Sequence, residues 1–458
     1  MSTVWPTSGS RQELAARAAV ALGLIAVSAV LAVGGVRAPG LALIAVGGLA
    51  GVTLMVSRLP FALAVLVASF FFENYLSSGV GLLTPAKVIG LVAISAWLVD
   101  WAVGRHRMVV TRELRWALGL LLWVVVAMSA ARNEHVAVVT TLRYVSFVSL
   151  FFLVLQTVRG RIKDADRLAT VAMSAALAAS ILGLLAFFRG QVDRVSGPLE
   201  DPNDFGFLLA STLPLAVYCA RRAQTVMGRS AAVISLLAIS IAVLLTFSRS
   251  ALVGVAMAAI WALGTRRVRL RWGVAGLAGL VFAGFAAYLI QPAAVSSAFS
   301  RKQHVADTNV SIRLTLWDVA WREFRSLPLT GVGPGNYVSR FEEFGSTPSS
   351  DQSTFTTHNA YLNVLAELGG PGFLLFCGFL VSSWRRLRQR PEGDPDTDQL
   401  LTALAAGYVV ALVGSMFLTE QYYPPLWFFA ALGVSMIAVP RTDEPQPVQG
   451  NPGAGRGR

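Results

Sequence analysis

The sequence is poor in charge, in lysine, in histidine and in cysteine. Charged residues make up 14% of the 458 residues and hydrophobic residues 55%, at a mean hydropathy of +0.61. A soluble domain has about a quarter of its residues charged, so this chain cannot cover a water-facing surface. The shortage excludes a soluble enzyme, a secreted disulfide scaffold and a disordered protein. It predicts an all-α polytopic membrane protein.

Metal and nucleic-acid sites also lack their usual residues. The two cysteines, Cys219 and Cys377, lie in separate apolar runs, and the sequence has neither a cysteine–histidine cluster nor a carboxylate pair with a third ligand. We therefore expect no cofactor and no metal site. The net charge of +13 comes almost entirely from arginine. We attribute the excess to cytoplasmic loops, which are enriched in arginine and lysine, and expect no nucleic-acid binding.

Apolar runs of about 20 residues, the length that crosses a bilayer, recur along the chain. We count about fourteen, or twelve if the weakest, among them 39–56, 59–75 and 250–264, are not spans. The predicted spans are 14–34, 39–56, 59–75, 84–103, 115–131, 138–157, 167–188, 203–219, 230–247, 250–264, 272–290, 359–382, 400–419 and 424–439.

Basic loops alternate with less basic ones, which sets the predicted orientation. The basic loops fall on one side, which is therefore cytoplasmic, and both termini lie on that side. The N-terminus has no cleavable signal, so the first apolar run is an uncleaved span. Residues 441–458 are rich in proline and glycine and are predicted to be a disordered tail. The basic residues of these loops are Arg105, Arg107, Arg112, Arg115, Arg159, Arg161, Lys163, Arg221, Arg222, Arg229, Arg266, Arg267, Arg269, Arg271, Arg385, Arg386, Arg388 and Arg390.

One long loop, 291–358, lies on the opposite, extracytoplasmic face in this topology. Its stretch 310–327 has apolar residues at helical spacing, including Ile312 and Leu316, and predicts an amphipathic helix near the membrane surface. The turn-rich GVGPG sequence, 331–335, follows. Long loops in compact proteins are usually functional.

Three arginines on the extracytoplasmic side are candidate anion ligands. Arg249 sits in a tight turn between two apolar runs, where it is either a snorkelling interfacial residue or part of an anion site. Arg194 and Arg313 add two charges on the same face. Each alone reads as a solvated loop charge, whereas together they favour a site for pyrophosphate or another polyanion, which arginine binds bidentately.

His358 begins a predicted span at the end of the long loop, beside these arginines. A lone histidine is more often a hydrogen-bonded structural residue than a catalyst. A neutral imidazole at this position could instead accept a proton from a hydroxyl acceptor.

Four motifs in order resemble the O-antigen ligase and Wzy-type polymerase superfamily. They are RxxG followed by PN, SRSALxG, IRxxxW followed by LPLxGVGPG, and HNxYLNVLAELGxxG. In the last motif nine residues separate His358-Asn359 from Gly369, and two more separate Gly369 from Gly372. The resemblance covers about 190–380.

The resemblance implies a GT-C-like membrane glycosyltransferase that is metal-independent and inverting. Its donor would be a glycan on undecaprenyl diphosphate at the outer face of the cytoplasmic membrane, and its acceptor a hydroxyl of a glycan or glycolipid. His358 matches the motif histidine, and Arg194, Arg249 and Arg313 match arginine positions, without showing which two hold the diphosphate. Asn203 and Asn359 can orient a sugar or cap a helix, and Gly369 and Gly372 are expected to allow close helix packing.

The division of the chain follows from these assignments. We expect N-terminal spans in 1–188, a catalytic region in 189–382 and C-terminal spans in 383–440. The first hypothesis is a surface-polysaccharide ligase, and the alternative is a Wzy-type polymerase that uses the same donor. A transporter or flippase would show paired inverted repeats, which the sequence lacks, and a scaffold protein would leave the arginines and His358 without a role.

Overall fold

A computed structural model describes residues 58–72, 85–102, 108–199, 201–271, 306–344, 356–391, 394–419 and 423–437, together with Gln421 and isolated residues within 51–55 and 279–296. These residues form α-helices, short 3₁₀ turns and loops, without a β-strand among them. The prediction of an all-α polytopic membrane protein is confirmed.

The helices of the described residues are numbered here in chain order. They are α1 (Leu59–Ser69), α2 (Pro85–Ala102), α3 (Arg112–Ala127), α4 (Glu134–Val158), α5 (Ile162–Phe188), α6 (Pro202–Arg222), α7 (Val226–Leu245), α8 (Arg249–Gly264), α9 (Ala306–Ser326), α10 (Tyr337–Phe344), α11 (Ala360–Leu387), α12 (Pro395–Gly414) and α13 (Pro424–Ile437).

Six of these helices are long and apolar enough to cross a membrane: α3 with its 3₁₀ extension to Ala130, α4, α5, α7, α11 and α12. They coincide with six of the fourteen predicted spans. Three more predicted spans coincide with shorter apolar helices, at α1, α8 and α13, and the runs 84–103 and 203–219 coincide with α2 and α6. The runs 14–34, 39–56 and 272–290, like the tail 441–458, lie wholly or largely outside the described residues, so the total remains a prediction.

Aromatic side chains from three helices fill the centre of the bundle. Trp427 of α13 is fully buried and stacks on Phe379 of α11 at 4.6 Å between ring centroids. Phe151 of α4 meets Phe379 edge-on at 5.3 Å.

Helix α3 carries apolar side chains on its outer face, where Leu122 and Val125 are more than half exposed. Apolar side chains on that face suit contact with lipid, in which backbone polar groups must be paired inside the helix.

The predicted basic loops meet at one end of the bundle, here called the basic end. Arg386 pairs with Glu113 at 3.3 Å, and Arg267 pairs with Asp398 at 2.8 Å and also donates to the carbonyl of Arg388. The sequence grouped these loops on one membrane face, and the helix ends that carry them contact one another in the structure. Which compartment this face meets remains a prediction.

The long loop contributes the helices α9 and α10, which pack on the opposite end of α11. The predicted amphipathic helix is present as α9, and its buried residues Leu316 and Val319 contact Phe341 of α10 and Ala366 of α11. The apolar face therefore packs against protein. On its other side Leu314 and Trp321 are about half exposed, at 57% and 47%.

The GVGPG turn joins α9 to α10 and lies directly on α11. The backbone N–H groups of Val332 and Gly333 donate to the carbonyls of Ala366 and Glu367 at 2.9 and 3.0 Å. Gly369 of α11 has a φ of +66°, which breaks the helix into two segments. At this break α11 lies against the backbone of Leu329. Gly372 faces Trp123 of α3, where an added Cβ would lie 3.0 Å from the ring, so this glycine allows close helix packing.

Two glycines with similar φ values distinguish the energetic cost of tight packing in this turn from the cost of its left-handed backbone. Gly331 (φ +65°) has no room for a Cβ, which would overlap the backbone of Glu367, whereas Gly190 (φ +69°) has nothing within 4 Å. A left-handed φ costs an alanine about 1 kcal/mol, and forced packing adds about 1–3 kcal/mol.

We therefore expect Gly190→Ala to lower the free energy of unfolding by about 1 kcal/mol and Gly331→Ala by about 2–4 kcal/mol. Unfolding of the purified protein in detergent, followed by tryptophan fluorescence, measures both. Equal losses in the two variants would mean that the turn does not pack tightly on α11.

Candidate functional site

His358 lies in a left-handed turn immediately before α11. Its φ is +46°, a value that side chains other than glycine seldom adopt. The turn is fixed from three sides. Trp317 of α9 donates to the carbonyl of Thr357 at 2.9 Å, the N–H of Ala360 donates to the carbonyl of Ser415 at 2.8 Å, and Asn359 caps α11. Strained backbone held in this way is concentrated at functional sites.

The imidazole of His358 is half-buried and lies within electrostatic range of two charged residues. Burial and the nearby charge of Arg313 lower its pKa below the ordinary 6.5, while Asp201 acts in the opposite direction. The ring is therefore neutral at pH 7. Its Nε2 lies 3.5 Å from the hydroxyl of Thr356, a weak contact.

Arg313 sits one turn before Trp317 on α9 and is partly buried. Burial lowers its pKa, although arginine stays charged at any physiological pH. No carboxylate or hydrogen-bond acceptor among the described residues pairs with its guanidinium. A desolvated cation without a partner is a favourable place for an anionic ligand.

Arg194 connects three segments at the same end of the bundle. Its Nε donates to the carbonyl of Thr246 at 2.8 Å and its Nη2 donates to Oδ1 of Asn203 at 3.0 Å. Burial lowers the pKa of Arg194, and the charge of Asp201 partly offsets that effect. Asp201 thus acts on both Arg194 and His358, so the start of α6 lies within electrostatic range of each.

Arg249 begins α8 directly after the turn that Arg194 binds. The turn contains Phe247 with a φ of +50° and packs on Gly206 of α6, where a Cβ would lie 2.7 Å from Oγ1 of Thr246. The side chain of Arg249 is exposed, and no ion pair or hydrogen bond joins it to another described residue. Electrostatic interactions therefore link His358 to Arg313 and to Asp201, and Asp201 to Arg194. Arg249 is joined to this group only through the 246–248 turn.

The two asparagines have structural partners. Asn359 is the N-cap of α11, and its side-chain oxygen accepts from the N–H groups of Tyr361 and Leu362 at 3.0 and 3.1 Å. Asp201 rather than Asn203 caps α6. Asn203 instead orients Arg194, so the capping alternative holds for Asn359 alone.

Sequence analysis missed a buried pair of carboxyls beneath the GVGPG turn. Glu323 of α9 is fully buried, and neither oxygen has a hydrogen-bond partner among the described residues. Burial and the neighbouring Glu367 raise the pKa of Glu323 to about 9. Glu367 of α11 is 3% exposed and interacts with the backbone N–H groups of Gly335 and Tyr337. A glutamate inside the apolar run of α11 was the available signal, because ionisable residues at membrane depth are rare unless they serve a purpose.

Within the described part of the chain, no group of three histidine, cysteine, aspartate or glutamate side chains is placed to hold a metal ion. The polar groups near His358 are the guanidinium of Arg313, the carboxylate of Asp201, the hydroxyl of Thr356 and backbone groups. An arrangement of this kind binds an anion and supports proton transfer at the imidazole.

Comparison with protein families gives an independent result. The family model described as O-Antigen ligase matches residues 233–377, which include Arg249, Arg313 and His358 and lie inside the predicted region 189–382. No curated protein matches the chain. The matched residues contain three of the four motifs, and the match confirms the resemblance to the O-antigen ligase/Wzy superfamily over residues 233–377.

Proposed function

We propose that this protein transfers a glycan from undecaprenyl diphosphate to a hydroxyl acceptor, as a surface-polysaccharide ligase. The reaction takes place at the extracytoplasmic face of the cytoplasmic membrane, uses no metal ion and inverts the anomeric configuration. The observation that carries the proposal is a neutral imidazole, His358, held in a strained turn beside the unpaired guanidinium of Arg313. The family match supports the class of reaction.

His358 acts as the general base. Its lowered pKa keeps the ring neutral, and a neutral ring nitrogen can accept the proton of the acceptor hydroxyl. The acceptor oxygen bonds to the anomeric carbon as the bond from that carbon to the phosphate oxygen breaks. The electron pair of the broken bond leaves with undecaprenyl diphosphate.

The arginines stabilise the negative charge that develops on the leaving diphosphate, the task that a divalent cation performs in other transferases. Arg313 and Arg249 have no polar partner among the described residues, so their N–H groups are available to the donor. Arg194 already donates hydrogen bonds from Nε to Thr246 and from Nη2 to Asn203. We therefore assign donor binding chiefly to Arg313 and Arg249, and the positioning of the 246–248 turn to Arg194.

Sizing the glycans left on undecaprenyl diphosphate after deletion of the gene tests the reaction and separates the two alternatives. Accumulated full-length polymer, missing from its surface anchor, is the result expected of a ligase. Accumulated single repeat units would identify a Wzy-type polymerase. An unchanged lipid-linked pool in a strain without a second copy of the gene would contradict both.

Two arginine variants distinguish donor binding from structure. Arg249→Ala removes an exposed charge without an intramolecular partner, so we expect transfer to fall by about 100-fold or more with an unchanged unfolding temperature. Arg194→Ala also removes two hydrogen bonds and should lower the free energy of unfolding by about 1–3 kcal/mol.

Transfer of a purified lipid-linked glycan in detergent, together with thermal unfolding of the same samples, measures both effects. Full activity of Arg249→Ala would remove it from the donor site. The matched control is Arg229→Ala, an equally exposed arginine at the basic end, which should leave both quantities unchanged.

The pH profile tests the base. Transfer should fall as the pH drops through the pKa of His358, which lies below 6.5. Arg313→Gln removes a charge that lowers this pKa, so the residual activity should show its acid limb at a higher pH. Arg322→Gln, an exposed position on the same helix whose arginine pairs with Asp318, is the control and should keep the original limb. An unshifted limb in Arg313→Gln would contradict the assignment of His358 as the titrating base.

A further inference from the structure

A cleft lined by arginines lies at the basic end, at the opposite end of α11 from His358. Its lining residues are Arg112, Arg385, Arg386, Arg388 and Gln389, and its volume is about 600 Å³. That volume lies within the roughly 300–1,000 Å³ of small-molecule sites. The two walls, at the start of α3 and the end of α11, are about 270 residues apart in the sequence.

Two of the four guanidiniums are held in place by buried groups. Arg112 donates from Nε to the hydroxyl of Ser382 at 3.0 Å, and Ser382 donates to Glu113 at 2.7 Å. Arg386 pairs with the same Glu113 oxygen at 3.3 Å. Glu113 is fully buried and Ser382 is 3% exposed. Membrane topology requires only that loop arginines lie on one face of the membrane. It does not require them to line one cleft with their guanidiniums held in place.

The positive charge of the cleft is only partly compensated. Glu113 is the carboxylate that pairs with these arginines, and the exposed side chains of Arg385 and Arg388 have no partner among the described residues. Guanidiniums that converge in this way suit phosphate, which arginine binds through two parallel N–H donors.

An apolar stripe leads away from the cleft along α11. Leu374 and Val381 are 68% and 48% exposed, and with Arg385 and Arg388 they recur at helical spacing on one side of the helix. On α3, Leu118 and Leu122 are also exposed, at 44% and 69%, but not on the side of the helix that carries Arg112. Apolar side chains that run into a cationic cleft match the acyl chains and the headgroup of one lipid molecule.

We propose that the arginine cleft binds the phosphodiester headgroup of an anionic phospholipid, whose acyl chains lie along α11. The chemistry that the cleft recognises is a phosphate group, which a free anion also carries. The lipid is the favoured source because the apolar stripe continues from the cleft, and basic pockets between membrane helices recognise such headgroups.

The test uses the full-length protein in nanodiscs of phosphatidylcholine, with and without phosphatidylglycerol, and counts retained lipid by native mass spectrometry. We expect phosphatidylglycerol to be retained selectively and to raise the unfolding temperature. A hydrogen bond between an arginine and a phosphate, both charged, contributes about 10-fold or more in affinity, so Arg385→Gln with Arg388→Gln should weaken retention by about 100-fold.

A charge-matched control separates the cleft from general attraction to the membrane. Arg229→Gln with Arg269→Gln removes two exposed arginines of the same end that do not line the cleft, and it should leave retention unchanged. An equal loss in both double variants would overturn the proposal. So would retention of phosphatidylglycerol no greater than that of phosphatidylcholine, or equal stabilisation by inorganic phosphate in neutral nanodiscs, which would identify a soluble anion as the ligand.

Discussion

The core of the bilayer offers no water to hydrogen-bond, so irregular backbone at membrane depth must find its partners inside the protein. The irregular stretches beside the candidate site do so through main-chain bonds between distant segments. The N–H of Val195 donates to the carbonyl of Leu245, that of Gly333 to Glu367, and that of Ala360 to Ser415. Because these bonds join the loop before α6, the GVGPG turn and the His358 turn to helix ends, the candidate site is built on a rigid frame. The left-handed φ of His358 depends on that frame.

The candidate site carries more positive than negative charge. Among the carboxylates that act on it, Asp201 influences both Arg194 and His358, and its oxygen is already engaged in capping α6. The site is therefore cationic before any donor arrives. Under the proposed function, a bound diphosphate would neutralise the charge of Arg313, and the pKa of His358 would rise once that charge is offset. The imidazole would then be a stronger base when the donor is present than when the site is empty.

The sequence allowed the helical class and the grouping of the basic loops to be predicted, because each depends on local composition. That Arg194, Arg313 and His358 form one site stays a prediction from motif order. Features that depend on tertiary contacts could not be predicted from the sequence. The capping role of Asn359 and the partners of Arg194 depend on segments that are distant in sequence. The break at Gly369 requires the backbone of Leu329 to approach α11, and periodicity cannot reveal that approach. The amphipathic pattern of α9 was recognised, but not that protein would cover its apolar face.

The buried carboxyls show why this loop docks in one position. Glu323 is neutral at physiological pH because its pKa is raised to about 9, and a protonated carboxyl costs far less to bury than an ionised one. Glu367 faces the N–H groups of Gly335 and Tyr337. A shift of the long loop along α11 would separate Glu367 from these N–H groups and leave the turn amides without partners in an apolar environment. Apolar contacts between Leu316, Val319 and Ala366 tolerate sliding, whereas this polar contact does not. Because Arg313 lies on α9 and His358 precedes α11, the register that the carboxyls enforce also sets the separation of the guanidinium from the imidazole.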